Sequence, residues 1–254
     1  MDEVTVVVAH SERATLRVGD VFLKVDADQA RIDAEVEAMS LAPVPTPEVL
    51  WHKPSVLAIS AVQGTTLGRL GEPSTGAAAG WAAAGAAIRK LHDAPLPPRA
   101  GRAGRSAVAL AAELDDECAV LVANGLLPAD LVTRNRRVAE AVLRPWTPAF
   151  THGDLQIAHV FLDGDEVTGI IDWSEAGRGD ALYDLATFTL GHEEHLGDVL
   201  AGYGTGTGTD IDIDIDVIHG WWSLRSLLAV RWLAEHGFDP FAPGCEVDVL
   251  RSRM

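Results

Sequence analysis

The chain is short of cysteine. Cys118 and Cys245 are its only two, far apart and in no CxxC pair, so neither a disulfide framework nor a thiolate zinc site is expected. It also lacks any uninterrupted apolar run near the roughly 18 residues that a membrane-spanning helix needs. Its opening, MDEVTVVVAHSER, is acidic where a secretory leader is basic. The expectation is a cytoplasmic protein with no membrane partner. Positive charge is the third shortage: 20 Lys and Arg stand against 37 Asp and Glu, a formal net charge of -17. A nucleic-acid partner is excluded on this ground, because such binding draws its affinity from basic patches on phosphates. The acidity serves solubility first and, second, favours an amine-bearing small molecule. A phosphate-binding P-loop is missing too. The glycine-rich tract GTTLGRLGEPSTG (64–76) has no GK[ST] ending and reads as a linker.

What is present suffices for a folded core. The chain has 254 residues, of which 48% are hydrophobic. Residues 4–8, 15–18 and 21–25 are short β-branched runs, the last two joined across Gly19-Asp20 as a hairpin. Ile32, Val36 and Met39 fall at helical spacing between Asp28 and the prolines at 43, 45 and 47. VLWHKPSVLAISAV (49–62) gives two more strands, so the first part of the chain is a small sheet with one helix.

The composition then changes. STGAAAGWAAAGAAIRKLH (74–92) predicts a tightly packed helix opened by a Ser/Thr cap, and His92 reads as a helix C-terminal histidine facing the dipole. Two further helices are predicted within 106–143, and more over 181–203 and 217–236. Of the tryptophans in the last of these, Trp221, Trp222 and Trp232 are assigned to core packing. Among the helices, residues 150–177 stand out as a turn and a hairpin, VFL and VTGIID pairing across Asp163-Gly164-Asp165. The TGTGTDIDIDID tract reads as a simple-sequence loop without the glycine turn and terminal glutamate of a calcium site. His192-Glu193-Glu194-His195 has the wrong spacing for a zinc metalloprotease and reads as a solvated helix end.

Phosphoryl transfer asks a protein for a carboxylate to orient the attacking hydroxyl, ligands for a divalent ion, and a cation on the phosphates. His152-Gly153-Asp154 puts Asp154 in the turn before the hairpin as the candidate base. His159 at the start of the hairpin and Asp172 at its far end are the candidate metal ligands.

These stretches, HGDL at 152–155, HVF at 159–161 and GIIDWSEA at 169–176, resemble the catalytic segment of the aminoglycoside/macrolide phosphotransferase family. The family commonly has Asn at the position of His159, and its macrolide members often carry His. The resemblance implies an α+β, protein-kinase-like two-lobed fold: an N-terminal nucleotide-binding lobe over 1–63 and a larger, mainly helical catalytic lobe over 64–254. It implies Lys24 as the phosphate-binding lysine and Glu35 as its ion-pair partner, with Glu37 as fallback. Residues 11–15, headed by Ser11, resemble the loop over the nucleotide phosphates, and Ser60 and Val62 match the hinge that holds the base. Asp180 and Asp184 match structural aspartates, one a helix cap and the other tying down the catalytic loop. The implied activity is transfer of the γ-phosphoryl group of ATP or GTP, with Mg²⁺, to a hydroxyl on a macrolide or aminoglycoside, by a monomer or homodimer. A metabolic kinase for choline, homoserine or a sugar, and a nucleotide-binding pseudokinase, are the alternatives.

Overall fold

The computed structural model describes residues 3–9, 12–69, 71–204 and 213–252. The β-branched runs form β1 (Val4–Ala9), β2 (Arg13–Val18) and β3 (Val21–Asp26). After helix α1 (Gln29–Leu41), β4 (Val49–Lys53) and β5 (Val56–Ser60) complete an antiparallel sheet in the order β1-β2-β3-β5-β4. The β2–β3 turn is tight because Gly19 takes a left-handed φ of 59°. It fixes a register that sets Lys24 opposite Thr15 on one side and Leu57 on the other. Asp28 caps α1 by accepting the Ala30 N–H at 2.9 Å. The helix buries Ile32, Ala34, Ala38 and Met39 and, among them, the carboxylate of Glu35. A buried acid on an apolar face needs a partner.

A short β6 (Thr65–Thr66) leads into α2 (Ala78–His92), α3 (Ala107–Ala123) and α4 (Ala129–Ala139). Next come β7 (Pro148–Thr151), the hairpin β8 (Val160–Asp163) and β9 (Glu166–Ile170), and β10 (Gly177–Asp180). Helices α5 (Ala181–Thr189), α6 (Leu196–Tyr203), α7 (Ile215–Glu235) and α8 (Glu246–Ser252) close the described chain. The fold is thus the α+β, kinase-like arrangement of a small antiparallel sheet followed by a mainly helical part. No helix among the described residues is long and apolar enough to cross a membrane.

Several local expectations are corrected. The 64–76 tract is more than a linker: β6 pairs with β8, Thr65 opposite Leu162 and Thr66 opposite Phe161. No Ser/Thr side chain caps α2, whose N-cap is Ala77; the Ser74 hydroxyl instead donates to Leu67 O at 2.7 Å and accepts from Gly76 N at 3.0 Å. Asp214, from the end of the simple-sequence tract, caps α7, while residues 205–212 of that tract lie outside the described residues. Trp221 and Trp222 are buried as expected, but Trp232 is 46% exposed and stacks on His236.

The alanine and glycine content of α2 has a packing cause. At Gly85 an added Cβ would overlap the Val199 carbonyl, and at Gly202 it would overlap the Ala82 carbonyl. The α2 and α6 backbones therefore approach as closely as glycine allows. Gly202→Ala gains about 1 kcal/mol of helix propensity, but a backbone carbonyl is a costly group to displace, and overpacking costs about 1–3 kcal/mol or more. The variant is expected to be less stable than the parent by about 2 kcal/mol in chemical denaturation, and an increase in stability would show that the two helices are free to separate.

Candidate active site

The buried Glu35 finds its partner in Lys24, whose Nζ lies 2.5 Å from Glu35 Oε1 and 2.8 Å from Asp172 Oδ1. The ion pair that the resemblance implies therefore forms, and Glu37 is not needed for it. Burial works to strip the charge from Lys24, but Asp172 and Glu35 together outweigh it and hold the ammonium's pKa above its ordinary value. Burial likewise opposes ionisation of Asp172, yet Lys24 and His159 keep it well below the usual carboxylate range. Glu35 goes the other way, its pKa raised by burial more than Lys24 lowers it. The three groups form a clamp between β3, α1 and the far end of the hairpin. Beside it, a cleft is lined by Arg13, Thr15, Lys24, Asp26, Arg31 and Ser174.

The turn bearing Asp154 is held from beneath. Strand β7 pairs with β10 and delivers His152-Gly153-Asp154 at its end. Asp184, fully buried in the first turn of α5, accepts the His152 N–H at 2.7 Å and the Gly153 N–H at 2.9 Å. Gly153 is required here, with φ +84° and the Glu175 carbonyl where a Cβ would sit. The His152 ring donates from Nε2 to Ile171 O at 3.0 Å and accepts the Asp154 N–H at Nδ1, 3.3 Å. Burial lowers its pKa and so favours the neutral tautomer these bonds require. His92 ends α2 as expected and is also buried, where it bonds Asp184 Oδ2 through Nε2 at 3.1 Å and Tyr203 Oη through Nδ1 at 2.9 Å. Asp180 caps α5 at Leu182 N (3.1 Å) and also accepts Trp221 Nε1–H at 3.1 Å.

Above this support, Asp154, His159 and Asp172 converge, each offering a ligand atom within 4.8 Å of the others. His159 ends a short helical turn just before β8 rather than starting the strand, and Asp172 lies beyond β9 at a left-handed φ of 67°. Only a few per cent of residues other than glycine adopt such a φ, Asp and Asn among them, and functional sites are where it concentrates. His159 Nδ1–H donates to the Asp154 carbonyl at 2.8 Å, so in the neutral form of the ring the lone pair is on Nε2, 3.9 Å from Asp172 Oδ2. Two carboxylates and a lone-pair nitrogen facing one point fit a divalent cation. Among the described residues, no other three-ligand cluster occurs. The HEEH segment forms none, and it is not simply solvated either, since His192 is buried and His195 stacks on Trp81 at 4.4 Å.

At the segment expected to be the hinge, the Ser60 N–H donates to Glu48 O at 2.9 Å and its hydroxyl accepts from Glu48 N at 3.0 Å, so these groups of Ser60 are already bonded. The Val62 side chain packs over Gly169 of β9. Ser11 lies outside the described residues. Sequence reasoning missed three neighbours of Asp154. Gln156 Nε2 donates to its carboxylate at 3.1 Å; Arg225 on α7 approaches Oδ1 to 3.6 Å and pairs with buried Glu246 of α8 at 3.3 Å. Burial would push the Asp154 carboxyl up, but His159, Arg225 and Arg102 bring it below its ordinary value.

Solved structures share this architecture. A macrolide 2'-phosphotransferase type I aligns with a TM-score of 0.68 at 17% identity, covering 98% of this chain and 89% of its own. ADP-bound aminoglycoside phosphotransferase APH(2'')-Ib gives 0.65 at 14%, covering 99% and 92%. A choline/ethanolamine kinase family protein from Mesorhizobium loti gives 0.64 at 22%, covering 97% and 84%. At these identities the likeness is one of fold. No curated protein matches the chain in sequence. Residues 7–221, however, match the sequence profile of the phosphotransferase enzyme family, and the chain belongs to that family.

Proposed function

We propose that the chain transfers the γ-phosphoryl group of ATP or GTP to the hydroxyl of a small molecule. One observation carries this: Lys24 joins Glu35 to Asp172 on one side, while Asp154 and His159 meet the same Asp172 on the other. A phosphate-binding cation, a base and a metal site thus share one carboxylate. Residues 1–63 would form the nucleotide lobe and 64–254 the catalytic lobe, with Val62 offering its backbone to the base. Asp172 and His159 would hold Mg²⁺, which when bound neutralises charge on the β- and γ-phosphates. Lys24, kept charged by its two carboxylates, would bind phosphate oxygens. The Asp154 carboxylate would orient the acceptor hydroxyl and take its proton as the new O–P bond forms and the bond to the bridging oxygen breaks, releasing the nucleoside diphosphate. Macrolides, aminoglycosides and choline-type alcohols are the acceptors that the structural neighbours' names suggest.

Nucleotide titration by calorimetry tests this. ATP or GTP should bind in the presence of Mg²⁺ and weaken sharply in EDTA. Lys24→Ala should lose about 10–100-fold in affinity, the value of one charge-assisted hydrogen bond of about 1.5–3 kcal/mol. Binding that ignores both Mg²⁺ and Lys24 would leave a pseudokinase as the better reading.

A further inference from the structure

Between α2 and α3, residues 99–104 lie along β10 as a strap. Ala100 bridges Arg178 in parallel, the Arg178 N–H donates to Arg99 O at 2.9 Å, and the Gly101 N–H donates to Arg178 O at 3.1 Å. The contact is backbone on backbone. A Cβ at Gly101 would fall 2.7 Å from Gly177 N, and one at Gly104 would overlap the Arg178 carbonyl. Because β10 pairs with β7, which delivers the Asp154 turn, the strap is fixed to the same support as the candidate base.

The side chain that the strap presents there is Arg102. Its N–H donates to Glu175 O at 3.1 Å, the same carbonyl that lies where a Cβ of Gly153 would sit. The main chain of Arg102 and the residue before Asp154 thus meet at one oxygen. Arg102 is exposed, and its guanidinium makes no hydrogen bond or ion pair with the described residues. The other cations of the site are already engaged: Lys24 by Glu35 and Asp172, Arg225 by Glu246 and Asp154. Arg102 nevertheless acts on the base. Against burial, and together with His159 and Arg225, it brings the Asp154 carboxyl below its ordinary pKa.

We propose that Arg102 receives the phosphoryl group in transit, from the Asp154 end of the site, while Lys24 serves the Asp172 end. The proposal rests on the transfer reading. As the bond from the γ-phosphorus to the bridging oxygen breaks, its electron pair leaves with the nucleoside diphosphate. The acceptor oxygen forms the new bond and its proton passes to Asp154. Between the two bonds, negative charge is spread over the three equatorial phosphoryl oxygens. A guanidinium fork matches two such oxygens, and it acts most strongly when its donors are not spent on a carboxylate of the protein.

Titration of ADP in Mg²⁺, with and without aluminium fluoride, tests this, because the fluoride complex beside ADP copies the flat phosphoryl group and needs no identified acceptor. The parent should bind ADP at least about 10-fold more tightly with aluminium fluoride than without, the value of one charge-assisted contact. Arg102→Ala should lose most of that gain and bind ADP alone as the parent does. Arg178→Ala removes a neighbouring exposed guanidinium from β10 and should keep the gain. Thermal melting confirms that both variants fold. A parent without the gain, a gain that survives Arg102→Ala, a loss matched in ADP alone, or an equal loss in Arg178→Ala would each overturn the proposal while nucleotide binding stands. A parent that binds no ADP would instead sink the transfer reading, and the proposal with it.

Discussion

Asp154→Asn is expected to lower turnover by about 10²–10⁴-fold, the range for removal of a positioned general base, with nucleotide affinity and thermal stability nearly unchanged. The fold should survive because the turn is held by main-chain groups. The Asp154 N–H bonds His152 and its carbonyl accepts from His159, and neither bond uses the substituted carboxylate. Asparagine keeps the shape and can still accept a hydrogen bond from Gln156, but it cannot take a proton. The carboxyl is held below its ordinary pKa against the effect of burial, by His159, Arg225 and Arg102. It is therefore ionised at neutral pH, and activity should fall only when the pH drops below the usual carboxylate range. A base this weak suits a reaction in which bond breaking to the leaving group runs ahead of proton removal. Single-turnover kinetics across pH would check both points. Turnover within a few-fold of the parent would reduce Asp154 to a structural role.

The parts of this site that lie close together along the chain were legible before any coordinates. Lys24 and Glu35 could be placed because the resemblance to the family put a lysine on the third strand and a glutamate on the helix after it, with helical register favouring Glu35 over Glu37. His159 and Asp172 could be paired because a hairpin brings its two ends together. The supporting pair β7–β10 was not visible, since PAFT and GRGD are too short and too poor in β-branched residues to signal strands. Arg225 and Glu246 were hidden for another reason. Arg225 reaches Asp154, and Glu246 reaches Arg225, only through helix packing, α7 against α8, and no local pattern tells which side of a helix hydrophobic almost all round will face a site. The partners of His92 were hidden on the same ground, because Asp184 and Tyr203 come from α5 and α6.

Asp184→Asn should be strongly destabilising. The carboxylate is wholly buried and meets three donors: the N–H groups of His152 and Gly153, and His92 Nε2. Asparagine offers one acceptor oxygen, so its amide must face at least one of these donors with a donor of its own. An orphaned buried group costs about 1–3 kcal/mol, and two such groups cannot rehydrate where Asp184, His152 and His92 are all buried. A loss of roughly 2–5 kcal/mol in chemical denaturation is expected. Tyr203→Phe, which removes only the hydroxyl bonded to His92 Nδ1, should cost nearer 1 kcal/mol. The two variants should differ in function as well. Asp184 positions the two peptide groups immediately before Asp154, and a displacement of about 1 Å at a reacting group can cost on the order of 100-fold. Turnover of Asp184→Asn should therefore fall even at temperatures where circular dichroism shows it fully folded, while Tyr203→Phe should retain most of its activity. Equal losses of activity in the two, scaling only with stability, would mean that the buried network holds the fold without aiming the base.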